Sequence, residues 1–340
     1  MKFARGFLPG SAAGYALLFA GLLICCSTML PANSAATERQ FGAFGPEGAR
    51  MREQLWILPS GDPKVPMRAT VFRPDAAPSG HDPKRPLVVI NHGTDEATRE
   101  AVSMPVYYWM SRWFVERGYV VVLPQRRGHG ATGGPLKESI GTCAHPDHYA
   151  SGNVAATDIA SAVRYMTEQS FVEPNGAVVV GVSTGGWASL ALSARNLPQV
   201  MAIVNFSGGR GGHAYGQPGA ICGKKELLSA ARRYASQARE PTIWFYAQND
   251  SYFGPKLAED LARVWGAAGG SVEEHIFPPY SYEGHTLADD RRGWDIWGPS
   301  LQDFLVRVRR QSHDSLQVAG EPKAQQPAQI QTSTIETTKQ

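Results

Sequence analysis

A serine between two glycines is the residue of this chain whose type and position best suit nucleophilic chemistry. Gly181-Val-Ser183-Thr-Gly185 follows the apolar run Ala177–Val180 and precedes a helix-compatible segment that begins at Trp187. A strand, a sharp turn and a helix in this order expose the serine hydroxyl and direct backbone N–H groups at it. Because 36 of the 340 residues are glycine, this pentapeptide can occur by chance, and alone it is weak evidence of a nucleophile. Its strand-to-helix setting predicts that Ser183 is a nucleophile.

A serine hydroxyl needs a base to take its proton and a carboxylate to hold that base. Asp250 comes shortly after the apolar run Thr242–Tyr246, and His285 lies in a glycine-containing loop after the next apolar run. His275 lies inside that run, so the pattern places its side chain at the sheet surface. We therefore predict a triad of Ser183, Asp250 and His285. The alternatives are that Asp250 is a plain turn residue and that His285 is a solvated loop residue.

Acyl transfer also needs donors for the oxygen that becomes negatively charged in the transition state. The N–H of Thr184, directly after the nucleophile, is the first predicted donor. The second is the N–H of Gly93 or Thr94, in the loop that follows the apolar run Pro86–Ile90. We expect the neighbouring His92 to be structural, because His285 fills the role of base better.

Short apolar runs alternate with helix-like segments along the chain. Such alternation predicts a mostly parallel sheet of about eight strands with helices on both faces, whose site forms at the carboxyl ends of the strands. The predicted strands are Gln54–Leu58, Arg68–Phe72, Pro86–Ile90, Tyr119–Leu123, 176–182, Val200–Phe206, Thr242–Tyr246 and Val272–Phe277. The predicted helices lie at Met104–Arg117, Ala155–Thr167, Trp187–Arg195, Lys256–Trp265 and Ile296–Val308.

The charge of the chain argues against several classes of partner. The formal net charge is +3, from 33 basic and 30 acidic residues that are well mixed, which gives no footprint for nucleic acid or for a membrane surface. There is also no Cys/His metal pattern, no phosphate-binding loop and no dinucleotide fingerprint. We therefore expect a small-molecule substrate and neither a metal nor an organic cofactor.

The first residues predict export. Lys2 and Arg5 precede a short apolar stretch and then small residues, so we interpret residues 1–36 as a signal peptide of a periplasmic or secreted protein. The alternatives are an uncleaved membrane anchor, for which the apolar stretch is short, and lipid modification at Cys25 or Cys26.

The remaining 37–311 form one predicted catalytic domain, and the polar residues 312–340 form a predicted disordered tail. A glycine-rich stretch at about 208–240 interrupts the alternation and is interpreted as a small lid over the site. Two cysteines remain after the signal, Cys143 and Cys222, and an even pair in an exported protein predicts a disulfide. Two buried thiols are the alternative.

Together, the motifs resemble an α/β-hydrolase. The resemblance rests on Asn91-His-Gly-Thr94, Gly181-Val-Ser-Thr-Gly185, Asn249-Asp250 and Gly284-His285, with Arg126-Arg-Gly-His-Gly130 as a supporting segment. The branch is similar to the dienelactone-hydrolase-like and prolyl-oligopeptidase-like serine hydrolases, over about residues 50–310. Dienelactone hydrolase itself has a cysteine nucleophile where this chain has Ser183, so the resemblance does not imply that activity.

The leading hypothesis is therefore an exported serine esterase that cleaves a small carboxylic ester through an acyl-enzyme. A peptidase or amidase with the same three residues is the second hypothesis, and its substrate would be a short peptide or amide. A catalytically silent binding module is the third, and the presence of all three predicted triad residues weakens it. The oligomeric state is left open by the sequence.

Overall fold

The structure is a computed structural model that describes residues 41–76, 82–95, 97–104, 107–288 and 290–320, the last eight as backbone only. The predicted signal peptide, and with it the alternatives at Cys25 and Cys26, lies outside these residues. So do residues 321–340 of the predicted tail.

The described residues form a nine-stranded sheet, one strand more than predicted. Its spatial order is β1-β2-β3-β5-β4-β6-β7-β8-β9. β1, β2 and β3 pair antiparallel, β3 pairs antiparallel with β5, and all later pairs are parallel. The strands are β1 Gly42–Phe44, β2 Gln54–Leu58, β3 Met67–Phe72, β4 Leu87–Asn91, β5 Val120–Pro124, β6 Ala177–Val182, β7 Val200–Phe206, β8 Thr242–Ala247 and β9 Glu273–Phe277.

Helices cover both faces of the sheet, as its apolar strands require. The helices are α1 Tyr108–Val115, α2 His148–Thr167, α3 Thr184–Ser193, α4 Lys224–Ala235, α5 Pro255–Ala267 and α6 Trp294–Gly320. The buried side chains fall into two clusters, one between the sheet and α2 to α5, the other between the sheet and α1 with α6. Every residue of the central strands β4, β5, β6 and β8 is buried, which explains their unbroken apolar sequences.

The register of the central strands brings the predicted site residues together. Asn91, at the end of β4, is the register partner of Gly181 in β6, so the loop with Gly93 begins beside the nucleophile turn. Parallel strands place their carboxyl ends at one edge of the sheet. The loops after β4, β6, β7, β8 and β9 therefore meet there, and they carry the residues that the sequence singles out.

The structure differs from the sequence predictions at three places: the lid, the start of the tail and an additional strand. The predicted lid, 208–240, contains α4, which buries Leu227, Ala230, Ala231 and Tyr234 against the helices on its face of the sheet. Only the residues before α4 border the site. α6 continues through 312–320, which were assigned to the predicted tail, because no proline or glycine interrupts the helix between Pro299 and Gly320. β1 was not predicted, because three residues are too few to show a strand pattern.

Cys143 and Cys222 form a disulfide with their Cα atoms 4.7 Å apart, as predicted. It joins the loop before α2 to the segment between β7 and α4. The Cys222 carbonyl accepts a hydrogen bond of 2.8 Å from His148 Nε2, which ties the same segment to α2. No helix among the described residues is long and apolar enough to cross a membrane.

We expect reduction of this disulfide to lower the Tm by about 5–15 °C. The bond closes a loop across a sequence separation of 79 residues. Disulfides typically stabilise by about 2–4 kcal/mol, chiefly by restricting the unfolded chain, and each kcal/mol shifts the Tm by about 2–4 °C. Calorimetry with and without a phosphine reductant measures the shift. The variant with serine at both positions is the control, because reductant should leave its Tm unchanged. An equal Tm for the wild type in both conditions contradicts the prediction.

Candidate active site

Ser183 lies at a strained turn between β6 and α3. Its backbone angles are φ 57° and ψ −123°, a conformation that costs a non-glycine residue about 1–3 kcal/mol. Backbone hydrogen bonds to the end of β7 and the residues after it hold the turn. The Ser183 N–H donates to the Phe206 carbonyl at 2.9 Å, and the Ser183 carbonyl accepts from the Gly209 N–H at 3.2 Å. Strain that the surroundings impose in this way is typical of an exposed nucleophile.

The glycines around Ser183 are required by close packing. A Cβ on Gly181 would collide with the backbone of Gly185, and one on Gly185 would collide with the carbonyl of Asn91. A Cβ on Gly93 would lie 3.0 Å from the Ser183 Cβ. The turn and the β4 loop are thus packed against each other with no room for side chains.

His285 and Asp250 form a hydrogen-bonded pair beside this turn. His285 Nδ1 lies 3.1 and 3.0 Å from the two carboxylate oxygens of Asp250, whose side chain is fully buried. Burial raises the pKa of Asp250, but the hydrogen bond and charge of His285 and the Phe253 N–H outweigh it, so the pKa falls below its ordinary value. A carboxylate held in this way fixes the imidazole ring and leaves Nε2 as the nitrogen that can exchange a proton.

The loop that carries His285 is attached to the Asp250 turn by two further side chains. Glu283 accepts hydrogen bonds from the His285 N–H at 2.9 Å and from the Ser251 N–H at 3.0 Å and hydroxyl at 2.5 Å. Asn249 bonds the backbone of Tyr280 and Ser281 at 2.7–3.2 Å. The position of His285 is therefore set by backbone contacts as well as by its pairing with Asp250.

The predicted oxyanion donors lie on the nucleophile turn and on the β4 loop that packs against it. Thr184 is the first residue of α3, so its N–H has no acceptor within the helix. Its hydroxyl donates to the hydroxyl of Thr94 at 2.9 Å, which joins the elbow to the β4 loop. The Gly93 N–H instead donates to the Tyr107 hydroxyl at 3.4 Å. We therefore take the N–H groups of Thr184 and Thr94 as the candidate pair of donors.

An open cleft of about 940 Å³ lies over these residues. Ser183 and His285 both line it, although no hydrogen bond joins the two side chains in the described part of the chain. Such bonds are often long before substrate binds. The walls come from 139–148, from 210–213 with Cys222, and from the aromatic residues Tyr107, Tyr252, Phe253 and Tyr282. Within the described residues, no group of three His, Cys, Asp or Glu side chains could hold a metal ion.

The sequence of the central region matches a known family. The profile of the dienelactone hydrolase family aligns with residues 69–296, which include the nucleophile turn, the Asp250 turn and the His285 loop. The chain belongs to the dienelactone hydrolase family. Position 183, within the matched region, is occupied by serine.

Solved structures confirm the α/β-hydrolase fold. An acetyl xylan esterase from Paenibacillus sp. R4 superposes with a TM-score of 0.54 at 13% identity, covering 79% of this chain and 88% of that one. Dipeptidyl peptidase 4 from Porphyromonas gingivalis superposes with a TM-score of 0.56 at 15% identity, covering 76% and 36%. These family and fold relatives include both esterases and peptidases, in agreement with the predicted branch.

Curated sequence relatives match over shorter stretches. Dipeptidyl-peptidase 5 from Porphyromonas endodontalis is 29% identical over 102 residues, which is 30% of this chain and 14% of that protein. The present chain spans less than a quarter of the length of the curated relatives that it matches.

Sequence reasoning missed two side chains at this site. Glu283 stands two residues before His285, and the pattern of the loop does not distinguish it from a solvated glutamate. Glu138 is buried beneath the site and pairs with Arg126 of the supporting segment. Both glutamates also contact residues that are distant along the chain, so no local pattern could reveal them.

Three buried histidines outside the proposed triad make the stability of this protein depend on pH. Burial lowers the pKa of His92 well below its ordinary value, that of His129 from 6.5 to about 4, and that of His148 to a lesser extent. The unfolded chain binds protons at these residues near pH 6.5, whereas the folded chain does so only at lower pH. Acidification through this window therefore favours the unfolded state.

We expect the free energy of unfolding to fall between about pH 7.5 and pH 5. His129 alone can contribute on the order of 3 kcal/mol across its full window, at about 1.4 kcal/mol per pKa unit. Burial raises the pKa values of Glu240 and Glu274, which acts in the opposite sense, so the comparison needs a variant. Urea unfolding of His129→Gln should show a smaller pH dependence than the wild type. If the free energy of unfolding changes equally with pH in the two proteins, the prediction is wrong.

Proposed function

We propose that this chain is an exported carboxylic ester hydrolase that works through an acyl-enzyme on Ser183. The observation that carries the proposal is the convergence in one cleft of a strained, partly buried serine and a histidine that is hydrogen-bonded to a buried aspartate. The three residues follow one another along the chain as Ser183, Asp250 and His285, which is the order of nucleophile, acid and base in α/β-hydrolases.

In the proposed reaction, Ser183 Oγ attacks the ester carbonyl while His285 Nε2 takes the hydroxyl proton. Asp250 holds the imidazole and stabilises the positive charge that it gains. The N–H groups of Thr184 and Thr94 bind the oxyanion of the tetrahedral intermediate. His285 then protonates the leaving alcohol, and a water molecule deprotonated by the same ring hydrolyses the acyl-enzyme to free acid and Ser183.

The extent of the structural matches favours an ester substrate over an amide. The acetyl xylan esterase covers most of both chains, whereas the peptidases match only in a minor part of their length. A serine peptidase or amidase is the second candidate, supported by the 29% identity to dipeptidyl-peptidase 5. Both candidates use the same three residues and differ in the leaving group that His285 must protonate.

Export is part of the proposal. The disulfide between Cys143 and Cys222 is of a kind that persists in oxidising compartments. It supports the interpretation of residues 1–36 as a signal peptide and of the mature protein as periplasmic or secreted.

A fluorophosphonate probe followed by two substrate panels tests the proposal. We expect the probe to modify Ser183, located by mass spectrometry of the peptide, and to abolish activity. Nitrophenyl esters of short acyl chains should be turned over with higher kcat/KM than aminoacyl nitroanilides. The reverse order of the two panels favours the peptidase. A protein that neither reacts with the probe nor cleaves either panel is a binding module, and the proposal is then wrong.

A further inference from the structure

An ion pair is buried directly beneath the proposed oxyanion donors, and the reaction described above does not use it. Arg126 and Glu138 are 0% and 2% exposed, and the guanidinium binds the carboxylate through Nε at 2.8 Å and Nη2 at 2.9 Å. Burial raises the pKa of Glu138, but the charge and hydrogen bonds of Arg126 outweigh it, so the pKa lies far below its ordinary value. The guanidinium of Arg126 therefore favours the ionised form of Glu138.

Arg126 fixes the backbone of the β4 loop. Its Nη1 donates to the His92 carbonyl at 2.7 Å, and its backbone N–H donates to His92 Nε2 at 3.1 Å. Since Nε2 accepts, the neutral ring of His92 carries its proton on Nδ1, which donates to the Gly93 carbonyl at 2.7 Å. His92 is thus structural, as expected, and the loop that leads to Thr94 has several fixed points.

Glu138 reaches both proposed oxyanion donors through a chain of hydroxyl groups. The Thr94 hydroxyl donates to Glu138 Oε1 at 3.0 Å, and the Thr184 hydroxyl donates to the Thr94 oxygen at 2.9 Å. Thr94 and Thr184 lie on separate elements, and this chain sets the separation of their two residues. The Thr94 oxygen also accepts from Arg126 Nη2 at 3.4 Å and lies 2.9 Å from His129 Nε2. The carboxylate of Glu138 can only accept, so it favours the arrangement in which Thr94 donates to it and accepts from Thr184.

We propose that Glu138 is a positioning residue for the oxyanion hole, acting through the hydroxyls of Thr94 and Thr184. The inference rests on the proposed function. A buried ion pair contributes little stability compared with apolar residues of the same volume, so its presence here needs another reason. Displacement of oxyanion donors by a fraction of an ångström weakens the interaction that forms only in the transition state. Glu138 touches no substrate and works by holding the residues that do.

Thr184→Val is the decisive variant, because it removes the hydroxyl and keeps the backbone N–H, the side-chain shape and the Thr94–Glu138 bond. We expect kcat to fall by about 10- to 100-fold with KM changed less than about threefold. The affinity for a boronic acid that mimics the tetrahedral intermediate should fall by a similar factor. Thr167→Val is the matched control: its buried hydroxyl bonds within α2, away from the cleft, so kinetics should be unchanged.

A second variant and one comparison complete the test. Thr94→Val should lower kcat similarly. The kcat of the double variant should be no lower than that of the less active single variant, because both changes break the same chain of hydroxyl groups. Wild-type kcat and boronate affinity in Thr184→Val overturn the positioning inference, as does a loss that merely follows the fraction of unfolded protein. If Ser183→Ala retains activity, the proposed function itself fails. If Ser183→Ala is inactive while Thr184→Val is normal, only the positioning inference fails.

Discussion

Replacing Ser183 with alanine is expected to lower kcat for ester hydrolysis by about 10⁴- to 10⁶-fold and to leave the protein folded. The proposed acyl-enzyme cannot form without the hydroxyl, and the residual rate comes only from the oxyanion donors and binding. The fold should survive, because the turn is held by backbone hydrogen bonds to Phe206 and Gly209, which do not depend on the hydroxyl.

Single-turnover and steady-state assays measure the loss, and circular dichroism with calorimetry checks the fold. Ser193→Ala is the matched control: this serine lies in α3, and its hydroxyl donates to the Leu190 carbonyl within the helix. We expect near-normal kcat for that variant. A folded Ser183→Ala protein with near-normal activity would remove Ser183 from the mechanism.

The fold was largely predictable because its central strands are buried on both faces. Such strands read as unbroken apolar runs, and the helices between them separate the runs clearly. α4 was missed because the glycine-rich residues before it dominate the stretch. Its own signal is present: Leu227, Ala230, Ala231 and Tyr234 follow the spacing of one helix face.

The candidate site was predictable where chemistry is local. Ser183 and its glycines are fixed by the packing of one turn, and the order of Asp250 and His285 follows from the order of the strands. Glu138 was beyond reach because its partner Arg126 and its contact Thr94 come from different loops, which only the folded sheet brings together. A buried glutamate cannot be told from an exposed one by its neighbours in sequence.

The triad acid and base should differ in how much activity their loss removes. His285→Ala is expected to cost about as much as the loss of Ser183, on the order of 10⁴- to 10⁶-fold in kcat, because it removes the group that takes the proton. In the described residues, His275 cannot replace it: that side chain lies on the edge strand β9 and bonds Glu273 at 2.9 Å. Retention of activity in His285→Ala, or its loss in His275→Ala, contradicts the choice of base.

Asp250→Asn should cost about ten- to a hundredfold less than His285→Ala, because part of the orientation of the imidazole survives. Glu283 still holds the His285 N–H, and the Tyr252 ring lies against the imidazole with centroids 4.5 Å apart. What is lost is the negative charge beside the ring and the control of its tautomer. The ratio of kcat values for the two variants, measured on one ester, tests this division. Equal losses mean that Asp250 alone holds His285, and that the contacts of Glu283 and Tyr252 do not orient the ring.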